Sequence, residues 1–195
     1  MYKVAALVSG GGTNLQAIID AMDDGRIEDA QMSLVASTNS KAFALERAAR
    51  HGIESIVLSK KNGDKAREDA LLAALREKGI DLLVLCGCFM VLSSDFIKGL
   101  DKPIINIHPA LLPKYGGKGF YGMAVHEAVL AAGESESGAT VHYVDGGIDT
   151  GGIILQKVVP VLEGDTPEIL QKRVMEEAEW QILPEVIAKF SKGLL

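Results

Sequence analysis

The residues best suited by type and spacing to do chemistry lie in the segment Asn106-Ile107-His108-Pro109, directly after two isoleucines. A short β-branched run that ends in such residues is typical of a buried strand, and alternation puts Asn106 and His108 on one face. A donating amide and an imidazole that titrates near neutral pH can stabilise charge on a carbonyl oxygen. The segment therefore indicates acyl transfer. The alternative is that Asn106 caps a turn and His108 is a satisfied, partly buried histidine.

A glycine-rich loop near the start of the chain is a second candidate. Residues 2–8 are a β-rich run, residues 9–14 read Ser-Gly-Gly-Gly-Thr-Asn, and residues 15–22 have helical spacing. Small residues between a strand and a helix let backbone N–H groups approach a phosphate at the positive end of the helix. Because the loop is neither a GxGxxG fingerprint nor a Walker A loop, a mononucleotide-type phosphate fits best. The alternative is a tight turn capped by Thr13 or Asn14.

Strands and helices alternate along the chain and must position these residues. Strand patterns cover residues 2–8, 31–37, 53–58, 81–86, 104–108, 137–144 and 153–161. Helix patterns cover residues 15–22, 42–51, 123–132 and 169–190, with one more ending near residue 79 and a break expected before Pro184. This order predicts an α/β fold with a doubly wound, mainly parallel sheet, in a single domain over residues 1–195. Ligands bind at the carboxyl edge of such sheets.

Composition narrows the class of partner. The 195 residues are 48% apolar and carry a net charge of −6, so no sequence-wide basic surface favours nucleic acid or an anionic membrane. The longest apolar stretch, residues 82–92, is too short to span a bilayer, and the start of the chain reads as a strand and not as a secretory signal. We therefore expect a cytoplasmic protein with small-molecule partners. Its oligomeric state is open, with a homodimer among the alternatives.

Two further segments are candidates for a site. The apolar run continues through residues 89–92, beyond the end of its predicted strand, where a loop normally turns polar. It could line a pocket for a flat, apolar ligand, with ordinary core as the alternative. The glycine-rich connection at residues 145–152 is too long for a two-residue hairpin and carries Asp145 and Asp149. We expect it to be a functional loop.

Five other side chains have plainer expected roles. Cys86 and Cys88 are too close and too few for a disulfide framework or a zinc site, so we expect buried free thiols. His51 and His126 are expected at the surface, the first at a helix end and the second on a helix. Arg67 lies in the first turn of its helix, where a cation is unfavourable, and a solvated face is favoured over a ligand role.

Taken together, three motifs resemble those of the phosphoribosylglycinamide formyltransferases of purine synthesis, over nearly the whole chain. They are the glycine loop at residues 9–14, Asn-x-His-Pro-x-Leu-Leu-Pro at residues 106–113, and Asp149-Thr150-Gly151-Gly152. The resemblance implies a Rossmann-like formyltransferase fold. It also implies direct attack of the amine of glycinamide ribonucleotide on 10-formyltetrahydrofolate, through a tetrahedral intermediate and without a metal.

The same resemblance implies the site residues. The catalytic triad is Asn106, His108 and Asp149: the amide and a protonated His108 stabilise the oxyanion, and Asp149 favours the imidazolium and relays a proton, with Asp145 the less favoured partner of His108. The substrate-binding residues are Gly11, Gly12, Thr13, Asn14, Arg67 and Glu179. The folate co-substrate is expected to contact Phe89, Met90, Val91, Leu92, Asn106 and Val144.

Two positions depart from the family's pattern, and three other functions compete. Trp180 stands where the family usually has a histidine, and Met90 where it usually has arginine or a similar polar residue. A formyltetrahydrofolate hydrolase would carry an N-terminal regulatory domain, and a methionyl-tRNA formyltransferase a C-terminal domain and a surface for tRNA; length and charge argue against both. A non-catalytic nucleotide- or folate-binding module would be expected to lack a triad member, and here all three are present.

Overall fold

The computed structural model describes the backbone of residues 1–195 and every side chain except that of Asn62. Seven strands of the described chain form one sheet: β1 (Tyr2–Val8), β2 (Ala30–Ser37), β3 (Ser55–Val57), β4 (Leu82–Leu85), β5 (Ile104–His108), β6 (Glu136–Tyr143) and β7 (Ile153–Pro160). The α-helices are α1 (Thr13–Asp23), α2 (Phe43–Arg50), α3 (Gly63–Lys78), α4 (Ser94–Leu100), α5 (Met123–Ala131), α6 (Pro167–Val174) and α7 (Trp180–Ser191).

The strand order β3-β2-β1-β4-β5-β6-β7 confirms the doubly wound, mainly parallel sheet. Strands β1 to β5 run parallel, and β6 is antiparallel to both of its neighbours. The chain leaves β1 toward one side of the sheet and returns at β4 on the other, so the topological switch point lies between β1 and β4. Ligands bind beside such a point. The glycine loop follows β1 and the segment at residues 106–109 lies at the end of β5, so both reach the same edge.

Helices cover both faces of the sheet, as the alternation of side chains along the central strand requires. Val4, Ala6 and Val8 of β1 pack into the core cluster under α1, α6 and α7. The intervening Ala5 and Leu7 pack into the cluster under α3 and α4. All four residues of β4 are buried, as expected of a parallel strand covered on both sides. The carboxyl edge of the sheet is thus carried by strands that are packed on both faces.

The C-terminal helical segment is divided, as predicted, before Pro184. Residues Met175–Glu179 form a π-helix between α6 and α7. Pro184 has no N–H to give to the carbonyl four residues earlier, which weakens the α-helical pattern at this point. Short π-helical turns occur frequently at functional sites, and Glu179 lies at the end of this one. The π-helical turn therefore ends at a candidate site residue, Glu179.

Helix α4 was not predicted from the sequence. It begins after Ser93, whose hydroxyl accepts a hydrogen bond from the N–H of Phe96, and it buries Phe96 and Leu100. Seven residues give too short a periodic signal to stand out from the apolar run before it.

Among the described residues, no helix combines the length and the apolar character that crossing a membrane requires.

Candidate active site

The glycine loop lies at the carboxyl edge of the sheet, where Asn14 lines the cavity and Gly11, Gly12 and Thr13 are not among the described lining residues. Gly12 is the N-cap of α1, with φ 72°, and no side chain makes a capping hydrogen bond, so the alternative of a Thr13 or Asn14 cap is wrong. A Cβ on Gly12 would lie 2.6 Å from the Cβ of Ala44. This position thus needs glycine both for its left-handed backbone and for its close contact with α2. The first N–H groups of α1 are left to a ligand or to solvent.

Strand β5 delivers Asn106 and His108 to the same cavity, as alternation predicted. His108 is only 4% exposed, and its Nε2–H donates a hydrogen bond to the carbonyl of Tyr115, at 2.7 Å. A carbonyl can only accept, so Nε2 carries a proton and Nδ1 of the neutral ring has a lone pair. Nδ1 lies 3.5 Å from Oδ2 of Asp149. A proton placed between these two atoms would be shared by an imidazole and a carboxylate.

Asp149, and not Asp145, is the carboxylate beside His108. Asp149 has a left-handed backbone, with φ 57°, and accepts a hydrogen bond from the N–H of Gly117 at 2.9 Å. Asp145 accepts hydrogen bonds from the Gly147 N–H and the Thr150 hydroxyl, and so holds the loop together. The two carboxylates of the glycine-rich loop therefore have separate structural surroundings.

Burial and charge set the protonation of His108 and Asp149. Burial lowers the pKa of His108, and the nearby charge of Asp149 offsets this only in part. Burial alone would raise the pKa of Asp149, but the neighbouring imidazoles of His142 and His108 and the hydrogen bond from the Gly117 N–H hold that pKa below its usual value. The free protein thus favours a neutral imidazole beside an ionised carboxylate. The protonated His108 expected from the resemblance concerns the reaction intermediate and stays a prediction.

A second ionisable group is buried next to the glycine loop. Asn14 Nδ2 donates a hydrogen bond to Oε2 of Glu179 at 2.9 Å, and Glu179 is 5% exposed. Burial raises the pKa of Glu179 to about 7, and the hydrogen bond from Asn14 opposes this rise. The Asn14 Oδ1 atom is buried without a partner among the described protein atoms. Both side chains have hydrogen-bonding capacity left for a polar ligand.

One cavity of about 700 Å³ joins these parts. Its walls include Asn14 and Glu179, the Asn106, His108 and Asp149 cluster, the apolar segment 89–92, and Val144. Within that segment Met90 and Leu92 are buried, whereas Phe89 and Val91 are exposed at the mouth of the cavity. The predicted pocket-lining role of the segment is therefore observed. A cavity of this size can hold a drug-sized ligand and more than one chemical group.

A family model described as formyl transferase matches residues 2–187 of this chain. The chain belongs to the formyl transferase family. It is 40% identical to a phosphoribosylglycinamide formyltransferase from Haemophilus influenzae, over all of this chain and 90% of that protein. It is 40% identical to a chloroplastic phosphoribosylglycinamide formyltransferase of Vigna unguiculata, of which it spans 59%.

Two further relatives extend the comparison. The chain is 41% identical to a trifunctional purine biosynthetic protein adenosine-3 of Drosophila pseudoobscura, but it spans only 14% of that protein. The crystal structure of glycinamide ribonucleotide transformylase 1 from Symbiobacterium toebii superposes with a TM-score of 0.91 at 39% identity, covering 99% of this chain and 89% of that one. The formyltransferase fold expected from the sequence is thereby confirmed.

The site of this family member contains a residue that the sequence did not single out, His142. It is 2% exposed and lies on β6, where it pairs across the sheet with Asn106. Its Nδ1–H donates to the Tyr143 carbonyl at 2.8 Å, so its Nε2 can accept from Asn106 Nδ2 at 3.1 Å. His142 therefore fixes the direction of the Asn106 amide. Strand alternation put His142 on a definite face, but the antiparallel register that brings it to Asn106 has no local signal.

Two predictions about other titratable residues were wrong. His126 is 1% exposed and not at the surface, because α5 turns Val125, His126 and Val129 inward; burial and the nearby His108 lower its pKa to about 4. Arg67 is 8% exposed and not solvated, and its Nη1 donates to Asp64 at 3.0 Å. His126 lines the cavity, whereas Arg67 is not among the described lining residues.

The remaining predicted side chains can be placed briefly. His51 is exposed at its helix end, as predicted, and Cys86 is a buried free thiol, while Cys88 is free but only half-buried. Met90 lines the cavity, and the indole nitrogen of Trp180 is buried without an acceptor among the described atoms. No group of three metal-ligating side chains is found among the residues whose side chains the structure describes.

Proposed function

We propose that the protein transfers the formyl group of 10-formyltetrahydrofolate to the amine of glycinamide ribonucleotide, a step of purine synthesis. The observation that carries this proposal is the meeting of Asn106, His108 and Asp149 in one cavity wall. The same cavity touches the glycine-loop side, at Asn14, and the apolar segment 89–92. An amide, an imidazole and a carboxylate between a polar and an apolar region suit a transfer between two different small molecules.

Each substrate has a region of matching chemistry. The uncapped N–H groups of Gly11, Gly12, Thr13 and Asn14 suit the phosphate of the ribonucleotide, because backbone donors at a helix N-terminus stabilise an anion. Glu179 suits the ribose hydroxyls, since a buried carboxylate can accept from both. The folate ring fits against Phe89, Met90, Val91, Leu92, Asn106 and Val144. In this arrangement the substrate amine and the formyl carbon meet beside Asn106 and His108.

The catalytic cluster supplies an oxyanion site. The amine attacks the formyl carbon, a C–N bond forms, and the carbonyl oxygen takes the negative charge. Asn106 Nδ2 lies 3.5 Å from Oδ1 of Asp149, the outer limit of a hydrogen bond. Because this hydrogen bond is weak, the same N–H can donate to the carbonyl oxygen of the formyl group instead. One such donor is worth about 3 kcal/mol of transition-state stabilisation in comparable sites. His142 keeps the amide in place during this change.

Proton transfer follows from the protonation of the pair. The attacking nitrogen becomes positively charged and must lose a proton, and the ionised Asp149 beside neutral His108 can receive it, directly or through water. Asp149 passes this proton to Nδ1 of His108, and the resulting imidazolium, stabilised by the restored Asp149 charge, stabilises the oxyanion through its own positive charge. Collapse of the intermediate breaks the bond from carbon to N10 of the folate, which takes up the proton. No covalent bond to the protein is formed.

The test is release of tetrahydrofolate by the purified protein from 10-formyltetrahydrofolate, with and without glycinamide ribonucleotide. Release that requires the ribonucleotide, with formation of the formylated product, is the expected result. Equal release without the ribonucleotide would instead indicate a hydrolase. Binding of the folate without any release would indicate a non-catalytic binding module.

The rest of the proposal concerns setting and assembly. We propose that residues 1–195 work as one domain in the cytoplasm, with small molecules and not nucleic acid or membrane as partners. A homodimer stays one of the open assemblies. Sedimentation of the purified protein with and without both substrates would establish the assembly.

A further inference from the structure

The glycine loop is held from behind by helix α2. The Ala44 N–H donates to the carbonyl of Gly10 at 3.2 Å, and Arg47 Nε–H donates to the carbonyl of Gly11 at 2.9 Å. The Cβ position of Gly12 is in contact with Ala44 and lies 3.5 Å from Arg47 Cδ. Three successive loop residues are thus fixed by two residues of one helix.

These two hydrogen bonds decide where the loop's donors point. In a planar trans peptide the C=O and the N–H point in opposite directions. Because the carbonyls of Gly10 and Gly11 both face α2, the N–H groups of Gly11 and Gly12 both face away from it. A Cβ on Gly10 or Gly11 would meet no atom within 4 Å, so there is space beside the loop. Two neighbouring N–H groups on the side of the loop away from α2 have the arrangement of an anion-binding concavity.

Arg47 is itself locked in place. Its Nη1 donates to Oε1 of Gln16 on α1 at 3.0 Å, and its guanidinium lies over the ring of Phe43, 5.0 Å from the ring centroid. One planar group thus joins α2, the loop and α1. A guanidinium can do this because its donors leave in fixed, divergent directions, which a lysine amine cannot match.

We propose that Arg47 is a positioning residue for the phosphate of the ribonucleotide: it sets the direction of the Gly12 N–H and adds a positive charge behind the loop. This inference rests on the proposed function, in which the glycine loop binds that phosphate. Arg47 takes no part in the chemistry, which occurs at Asn106 and His108. Its loss should weaken binding of a phosphorylated substrate and leave the rate at saturation unchanged.

The matched control is Arg50, three residues further along the same helix. Arg50 lies over the same Phe43 ring at 5.5 Å, and its polar partner is the exposed Glu46. Arg50→Ala therefore removes one positive charge and one ring contact without removing a bond to the loop. Arg47→Ala removes the charge, the ring contact, the bond to Gly11 and the bond to Gln16.

The experiment compares glycinamide ribonucleotide with its dephosphorylated ribonucleoside in the formyl-transfer assay. Arg47→Ala should raise KM for the ribonucleotide about tenfold, the effect of losing one good hydrogen bond, with kcat and the folate KM unchanged. For the ribonucleoside the same variant should match the wild type, and Arg50→Ala should match it with both substrates. An equal loss with both substrates would mean a general structural defect, and full recovery in Arg47→Lys would mean that charge alone matters; either result would overturn the inference.

A second readout separates this inference from the proposed function. Ribose 5-phosphate, used as a phosphate-bearing probe, should raise the melting temperature of the wild type and of Arg50→Ala but not that of Arg47→Ala. This result would support the role of Arg47 even if no formyl transfer were detected. Equal protection of all three proteins would contradict it.

Discussion

The two ends of the cavity are formed by different kinds of groups, backbone at one end and side chains at the other. At the end of β1 the site is backbone: a glycine loop and the uncapped start of α1, fixed from behind by Arg47. At the end of β5 the site is side chains: a nitrogen of buried His108 and one of buried His142 each lie 3.5 Å from a carboxylate oxygen of the half-buried Asp149. His142 Nε2 also lies 3.1 Å from Asn106 Nδ2. The first arrangement suits binding of a fixed charge, and the second suits a change of charge during a reaction.

This difference implies different sensitivities. Backbone donors have no protonation state to lose, so the glycine loop should tolerate pH changes but not an added Cβ at Gly12. The side-chain cluster should tolerate neither a change of charge nor loss of one partner, because the pKa values of His108 and Asp149 depend on each other's charge. Variants at the two ends should therefore fail in different measurements.

The largest expected effect is at the side-chain end. Asp149→Asn should lower kcat about a thousandfold, because an amide beside His108 can neither accept the amine's proton nor stabilise an imidazolium. Asp145→Asn should lower kcat less than about tenfold, since Asp145 bonds only within its own loop. Steady-state kinetics on the two variants decide the matter. The reverse order would move the catalytic role to Asp145.

Glu179 gives a sharper test of the difference between the two ends of the cavity, because it is a titratable side chain beside the glycine loop. Its folded pKa, about 7, exceeds its usual value of 4.5, so the folded protein holds a proton that the unfolded chain releases between these pH values. Stability is lost as pH rises through that window, by about 3 to 4 kcal/mol in all at roughly 1.4 kcal/mol per pKa unit. Glu179→Gln should remove this loss and be more stable than the wild type at pH 8, while its KM for the ribonucleotide rises about tenfold.

Urea unfolding at pH 5 and pH 8 measures this difference. Glu176→Gln is the matched control, because Glu176 lies in the same π-helical turn but has a side chain that is 46% exposed. It should change neither stability nor KM. If Glu179→Gln is less stable than the wild type at pH 8, the ionised carboxylate stabilises the folded protein, which would contradict this prediction.

The smallest of these effects concerns the loop backbone. Gly12→Ala should lower the free energy of unfolding by about 2 kcal/mol, because alanine is strained at φ 72° and its Cβ would meet Ala44 at 2.6 Å. Gly11→Ala should change it by less than about 0.5 kcal/mol, since its Cβ meets nothing. Thermal unfolding of both variants tests this. Equal stabilities would mean that the loop is not held against α2.

Local pattern explains which parts the sequence could predict. The glycine loop, the Asn106 strand and Asp149 were found because each motif is short and contiguous, and the sheet followed from strand and helix periods. His142 was missed because its role depends on antiparallel register with β5. The burial of His126 and Arg67 was missed because polar residues are usually exposed, and only the packing of α5 and α3 shows otherwise. Arg47 had no local signal, since its partners lie 31 and 36 residues away.

The most direct test of the division between binding and chemistry is made on one variant, His108→Ala. Formyl transfer and calorimetric binding of the ribonucleotide are measured on the same preparation, with His51→Ala, an exposed histidine, as control. We predict a rate lowered about a thousandfold and a Kd changed less than about threefold. A rate near that of the wild type, or a loss of binding large enough to explain the lost rate, would contradict the account.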